Sequence, residues 1–287
     1  MRFRFIQRYA KRFAVRPLCE LLGVSRSGYY AWCDRPPSKR AREDRLLMAL
    51  IEATHKASRG IYGYRKVHAC LPKEIPCGRD RVARLMRQIG LRGKQKRRHM
   101  GTTTQSQHKL PVADNLLHQD FTATSANQKW CADLTFIWTA EGWLYLAAIE
   151  DLYSRFIVGW ALESRLTDVV TLKALAMALG RRPAMPGLIH HSDRGGQYAS
   201  NAFKANLERA GIVQSMSGAG NAYDNAPIES FFSRLKNELI HHRDYRTRDE
   251  ARRDIFEYIE VFYNRQRVHS ALGYRSPIEF EALHVAP

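Results

Sequence analysis

The feature that most constrains this chain is a change of pattern after Gln128. Three stretches rich in β-branched and aromatic residues follow one another there: Trp130 to Trp138, Trp143 to Ile149 and Phe156 to Leu162. The turn signals Ala140-Glu141-Gly142 and Asp151-Leu152-Tyr153-Ser154 separate them. Connections that short leave consecutive strands only antiparallel pairing. The pattern then changes to helical spacing at Leu166 to Leu179, a short apolar strand at Gly187 to His191, a helix at Ser200 to Ala210 and a strand at Ile212 to Ser215. Helices at Pro227 to Leu239 and Asp249 to Tyr263 complete the series. Strands joined through helices pair in parallel. The expected fold is therefore α/β, a mixed five-stranded sheet with flanking helices.

Three antiparallel strands, then helix, strand, helix, strand, helix, describe the ribonuclease H topology. In it the first strand is central and adjoins the fourth. Three acidic residues gain meaning from that order. Asp133 lies mid-strand in Trp130-Cys131-Ala132-Asp133-Leu134-Thr135. Asp193 follows the fourth strand in His191-Ser192-Asp193-Arg194-Gly195-Gly196-Gln197-Tyr198, at a strand end where ligands collect in open α/β sheets. Glu229 sits in the first turn of a helix in Asn225-Ala226-Pro227-Ile228-Glu229-Ser230-Phe231-Phe232, after the loop Ser217 to Ala222. Each acid alone is an ordinary cap or surface charge. Together they are expected to converge at one edge of the sheet, where three carboxylates repel unless cations bind between them. Hard oxygen donors favour Mg²⁺ or Mn²⁺. Two ions about 4 Å apart would activate an attacking oxygen and stabilise a leaving one at phosphorus.

The front of the chain points to a polyanion. The net charge is +18 over 287 residues, yet residues 1–112 hold 27 Lys+Arg against 7 Asp+Glu and the remainder carries a net −2. Residues 1–38 read as a helix-turn-helix segment: a helix from Val15 to Leu22, the turn Gly23-Val24-Ser25 with Ser25 as cap, and a second helix exposing Arg26, Ser27 and Tyr30. An ordinary helical hairpin fits the same pattern. Residues 39–92 read as a helical DNA-binding domain whose last helix, Arg79 to Ile89, shows Arg81, Arg84 and Arg87 on one face and closes on Gly90. A solvated charged face is the alternative. Residues 93–127 read as a basic and polar linker carrying Lys94, Lys96, Arg97 and Arg98, a tether that can also lie along DNA. Residues 128–287 form the expected catalytic core with its C-terminal helices.

Several classes are disfavoured. No apolar run approaches the roughly 18 residues that span a bilayer, and the start lacks the apolar stretch of a secretory leader. Cys19, Cys33, Cys70, Cys77 and Cys131 form no Cys-x-x-Cys pair, so reduced and mostly buried thiols are expected rather than a disulfide framework or a zinc site. Trp130, Trp138 and Trp143 are expected in the core. His191 and His269 read as core or strand-end histidines before they read as DNA contacts or proton carriers.

With these segments in place, the chain resembles the catalytic subunits (OrfB type) of bacterial insertion-sequence transposases, within the retroviral-integrase-like superfamily. That superfamily is marked by Asp, Asp, thirty-five residues, Glu, the separation between Asp193 and Glu229. Tyr62-Gly63-Tyr64-Arg65, Arg81-Val82-Ala83-Arg84-Leu85-Met86 and Tyr263-Asn264-x-x-Arg267-x-His269-x-x-Leu272-Gly273-Tyr274-x-x-Pro277 carry the same resemblance outside the triad. It implies a DNA transposase with Asp133, Asp193 and Glu229 as catalytic and metal-binding residues and two Mg²⁺ ions per site. Those ions would serve cleavage at transposon ends, then transfer of the freed 3′-hydroxyl to a second phosphodiester. Lys236, two helical turns after Glu229, takes the place of a residue that contacts the transposon end, and Arg267 is counted with the DNA contacts. The implied partners are double-stranded DNA (terminal inverted repeats and target), further copies of the chain, and an upstream helix-turn-helix protein, separate or fused by frameshifting. The implied location is the bacterial cytoplasm, at the nucleoid when on DNA. Two other readings remain at this point: a non-catalytic DNA-binding inhibitor or repressor, and a ribonuclease-H-like nuclease.

Overall fold

The computed structural model describes residues 1–94, 110–218 and 222–283. The basic cluster Lys96, Arg97 and Arg98 lies outside them. Three short helices come first: α1 (Arg2–Tyr9), α2 (Val15–Leu21) and α3 (Arg26–Cys33). They close around their own small core of Ile6, Leu18, Cys19 and Tyr29. Ser25 caps α3 as expected, accepting from Gly28 N at 3.1 Å, and Arg26, Ser27 and Tyr30 are exposed. Helix α1 had no counterpart in the sequence reading.

Helices α4 (Lys39–Ala57), α5 (Tyr64–Cys70) and α6 (Arg79–Gln88) follow. Ser38 caps α4, and Gly90 ends α6 in the left-handed region at φ +74°. The three helices pack on one another. Leu47, Ile51, Val67, Val82 and Leu85 join one cluster with residues of the sheet and of the C-terminal helices. Tyr62 Oη accepts from Val268 N at 2.8 Å across the same contact.

The sheet has five strands: β1 (Lys129–Thr139), β2 (Gly142–Asp151), β3 (Ile157–Glu163), β4 (Ile189–Ser192) and β5 (Val213–Met216), in the order β3-β2-β1-β4-β5. β1 pairs antiparallel with β2 from Trp130↔Asp151 to Thr139↔Gly142, and parallel with β4 up to Ala132↔Ser192. β5 is parallel to β4. This is the ribonuclease-H-like α/β architecture the strand pattern required.

Two layers cover the sheet. Trp130, Ala132, Ala147 and Ile149 face α7 (Asp168–Arg181), the short α8 (Gly196–Ala199) and α9 (Asn201–Arg209). Cys131, Ile137, Leu146 and Ala148 face α10 (Ala226–Glu238), α11 (Arg248–Phe256) and the front helices. β3 and α7 touch closely at Gly159, where a Cβ would stand 2.2 Å from Ala174 O. The helix expected over Asp249 to Tyr263 begins as α11 and continues as a π-helix from Glu257 to Tyr263. Its wider turn directs Tyr258, Ile259, Phe262 and Tyr263 all into the core. A last helix, α12 (Pro277–Ala282), carries a capping box of Ser276 and Glu279.

Three expectations about burial are corrected. Trp130 is fully buried, but Trp138 and Trp143 are 59% and 48% exposed, because the β1–β2 hairpin extends past the helices that cover its base. Of the five cysteines, all unpaired, only Cys19 and Cys131 are buried. The described end of the linker is docked on the core: Leu117 is buried, Met216 N donates to Asp114 O at 3.2 Å, and Leu116 N donates to Ser215 Oγ at 2.9 Å.

Candidate active site

The parallel register between β1 and β4 sets the site. Its last pair is Ala132↔Ser192, so Asp133 and Asp193 are the next residue on each of two neighbouring strands. Side chains alternate along a strand, and Asp133 points to the same face as Cys131 and Ile137, the face that α10 covers. Each aspartate is held by a backbone amide close in sequence. Leu134 N donates to Asp133 Oδ1 at 2.7 Å and Gly195 N donates to Asp193 Oδ1 at 3.0 Å. A Cβ at Gly195 would come within 2.9 Å of Asp193 Oδ1, so a side chain there would push that carboxylate from its place.

Glu229 arrives on α10, whose start is tied to β1. Asn225 Nδ2 donates to Ala132 O at 3.1 Å, and Asn225 Oδ1 accepts from Cys131 Sγ at 2.8 Å. The neighbouring Asp224 accepts from Asn115 Nδ2, Gln119 Nε2 and Gly218 N at 2.9, 3.0 and 2.7 Å. It thereby joins the docked linker, the end of β5 and the approach to α10. Neither Asp224 nor Asn225 was singled out from the sequence. The only hint was an Asx pair just ahead of Pro227, where a helix start needs fixing.

The electrostatics show that the three carboxylates occupy one field. Burial first, then the charge of Asp193 and that of Glu229, hold the Asp133 carboxyl well above its ordinary range. Glu229, exposed at the rim, is raised by desolvation and then by Asp193. Lys236 on the same helix is lowered by desolvation, while Asp133 pulls it back up. The Tyr198 hydroxyl, fully buried without a hydrogen-bond partner, is raised by burial and then by Asp133 and Asp193. Among the described residues, no three His, Cys, Asp or Glu side chains stand close enough to enclose one ion. Asp133 and Asp193 offer hard oxygens from adjacent strands. That donor chemistry fits magnesium, which is ordinarily held by one or two carboxylates with water and substrate phosphate completing its shell.

The other predicted residues divide into two groups. Arg26 and Arg87 are exposed. Arg81 and Arg84 are engaged within the chain: Arg81 Nε bonds Asp44 at 2.8 Å and its Nη2 bonds Glu43 at 3.2 Å, and Arg84 Nη2 bonds Asp44 at 2.8 Å. The arginine face of α6 is thus turned in good part toward α4. Lys94 Nζ donates to Glu238 O at 2.6 Å. Arg267 is 4% exposed and grips Glu238 with two guanidinium nitrogens, so it is a structural cation rather than an outward DNA contact. Both histidines are internal. His191 Nδ1 meets Ser215 Oγ at 2.8 Å and is lowered to about 4 by burial, and His269 stands edge-on to Tyr263 at 5.0 Å.

Comparison with known proteins finds relatives along the chain's whole length. The Integrase core domain family matches residues 123–222, and a second family of the same description matches 229–284. The HTH-like domain family matches 41–99, the helices α4 to α6 rather than the segment 1–38. The chain is 50% identical over 264 residues to the insertion element IS600 uncharacterized 31 kDa protein of Shigella sonnei, covering 92% of this chain and 97% of that one. It is 40% identical over 289 residues to transposase InsF for insertion sequence IS3A of Escherichia coli (strain K12), covering all of both. A simian T-cell lymphotropic virus intasome in complex with PP2A regulatory subunit B56 gamma aligns with a TM-score of 0.48 at 14% identity, covering 83% of this chain and 75% of that one. Full-length identity of this order to proteins of insertion elements makes the chain a member of the insertion-sequence transposase family, built on an integrase core.

Proposed function

We propose that the chain cuts DNA at the ends of its insertion sequence and joins the freed 3′-hydroxyl to target DNA, with Asp133, Asp193 and Glu229 as the carboxylates that hold two Mg²⁺ or Mn²⁺ ions. The observation that supports this most is the register that puts Asp133 and Asp193 side by side, with the Asp133 carboxyl raised by burial and by the other two acids. A divalent cation between Asp133 and Asp193 would offset that repulsion.

Bound divalent ions supply a deprotonated attacking oxygen and neutralise charge on the leaving one. The chain's own part is positioning. Leu134 N and Gly195 N fix one oxygen of each aspartate. Asn225 ties the start of the helix that carries Glu229 to the strand that carries Asp133. Lys236, half-buried and within the field of Asp133, is the cation on α10 that would meet a DNA phosphate there. The attacking group is water and then a DNA 3′-hydroxyl, so no tyrosine or serine nucleophile is required.

Arg26, Arg87 and the basic run Lys96, Arg97 and Arg98 are the cations left to meet DNA backbone. The division into 1–38, 39–92, 93–127 and 128–287 belongs to the same proposal. So do assembly of at least two copies to pair two DNA ends, a helix-turn-helix partner encoded upstream, and action in the bacterial cytoplasm. No helix among the described residues is long and apolar enough to cross a membrane.

The test is incubation of the protein with labelled transposon-end duplex and Mg²⁺, beside Asp133→Asn and Glu229→Gln. Cleavage and joining by the unaltered chain alone, with DNA binding retained in both variants, is expected. Equal product from all three overturns the site, and binding without product from the unaltered chain points to an inhibitor instead.

A further inference from the structure

On the far side of α10 from Glu229 lies a cavity of about 410 Å³ whose walls carry Lys66, Arg155, Ser230, Arg234, Arg267 and His269. Four elements supply them: α5, the turn between β2 and β3, α10, and the segment after the π-helix. Arg155 sits in its turn at φ +63°, a conformation that non-glycine residues rarely adopt.

The charges there do not balance. Of the carboxylates near the cavity, Glu238 is taken by Arg267. Glu150 is fully buried, 3.9 Å from Arg155, and neither of its oxygens accepts a hydrogen bond. Arg234 has no ion pair among the described residues, and Lys66 has only the Tyr62 ring, 4.9 Å away. The cations also act on one another. Lys66 is lowered to about 7 by burial first and then by Arg267 and Arg234. His269 is lowered by burial and then by Arg267, Arg234, Lys66 and Arg155 in turn, so all four converge on one ring.

Gathering four cations around a cavity with two carboxylates is unfavourable unless something offsets it. Guanidinium groups present planar forks matched to phosphate oxygens, and a lysine adds a point charge. We propose that this cavity is a phosphoryl-anion site, distinct from the three carboxylates, in which Lys66, Arg155, Ser230 and Arg234 hold the oxygens of one phosphate group. That phosphate has two sources. One is a DNA strand running along α10, which rests on the DNA-processing reading above. The other is free inorganic phosphate or pyrophosphate, which does not.

The probe is inorganic pyrophosphate, titrated calorimetrically into the full chain with EDTA present, so that no divalent ion and no catalysis is involved. One saturable site is expected, weakened at least about tenfold in Arg234→Gln and in Lys66→Gln. Arg165→Gln, an exposed arginine elsewhere, is the charge control and should bind as the unaltered chain does. Circular dichroism melting checks that each variant folds, and Ser230→Ala gives a milder change at the same wall. Absence of a saturable site, or equal affinity in Arg234→Gln and the unaltered chain, overturns the proposal. Competition identifies the source. If pyrophosphate displaces a 5′-phosphorylated end duplex from the unaltered chain but not from Arg234→Gln, the phosphate belongs to DNA; indifference assigns the site to free phosphate. Anion binding without DNA cleavage leaves this site standing and removes only the reading of the triad. Cleavage without anion binding does the reverse.

Discussion

Asn225 is bonded to β1 at both ends of its amide, donating to Ala132 O and accepting from Cys131 Sγ. The side chain immediately before α10 therefore grips the strand that carries Asp133, two residues from the carboxylate. These two bonds tie the helix of the third acid to the strand of the first.

Asn225→Ala should leave Ala132 O buried without its partner and loosen the start of α10. A loss of about 1–3 kcal/mol in unfolding free energy is expected. Strand transfer should fall further, by about tenfold or more, since small misplacements of catalytic groups are costly. DNA affinity, measured by anisotropy, should change little. A variant with normal strand transfer would show that Glu229 is positioned by something else.

Asp133→Asn should stabilise the protein when no divalent ion is present. The Asp133 carboxyl is raised in the folded state by burial and by Asp193 and Glu229. A raised acid contributes stability below its ordinary value of 3.8, and that contribution is lost as pH climbs through the higher folded value. At neutral pH the ionised aspartate is therefore a burden, and the amide is not. Melting in EDTA should give a higher Tm for the variant, and Mg²⁺ should raise Tm only for the unaltered chain. A lower Tm for the variant in EDTA would contradict the electrostatic account.

Glu150→Gln extends the same logic away from the triad. Burial lifts Glu150 from 4.5 to about 7, despite Arg155 and Arg234. Its stabilising contribution is present below about 4.5 and disappears between there and about 7. At about 1.4 kcal/mol per unit, the difference is on the order of 3 kcal/mol. The variant should match the unaltered chain near pH 5 less closely as pH rises, becoming the more stable of the two at pH 8. Chemical denaturation across that range checks the slope.

Arg267→Ala should fail as a structural change, not as a DNA-contact change. It strands Glu238, which also accepts from Tyr258 Oη at 2.7 Å, without its buried counter-charge. Breaking a buried pair from one side costs about 3–5 kcal/mol. A large drop in stability is expected from urea unfolding. Unchanged stability with weakened DNA binding would restore the outward role the sequence assigned to it.

These cases mark how far the sequence could be read. The strands from Trp130 to Leu162 and the placement of Asp133, Asp193 and Glu229 were legible because alternation, turn residues and helix starts are local signals. The fate of Arg81 and Arg84 was not, because their partners Glu43 and Asp44 lie on another helix, 37 to 40 residues away. Arginines spaced for a phosphate backbone are also spaced for a neighbouring helix. Trp138 and Trp143 looked like core because strand aromatics usually are, and only the reach of α7 to α9 over the sheet decides otherwise. The Asp224 clamp joins Asn115 and Gly218 across more than a hundred residues, beyond any periodicity.

The front helices form a seam with the C-terminal segment, where Tyr62 Oη meets Val268 N and Gln266 O and Arg59 lies against Glu257 and the Phe262 ring. Trimming the chain back to β1, a natural way to prepare a minimal core, would strip that seam open. The product would leave Glu257 without Arg59 and the Phe262 ring without the cation that covers it, whatever the state of its acids.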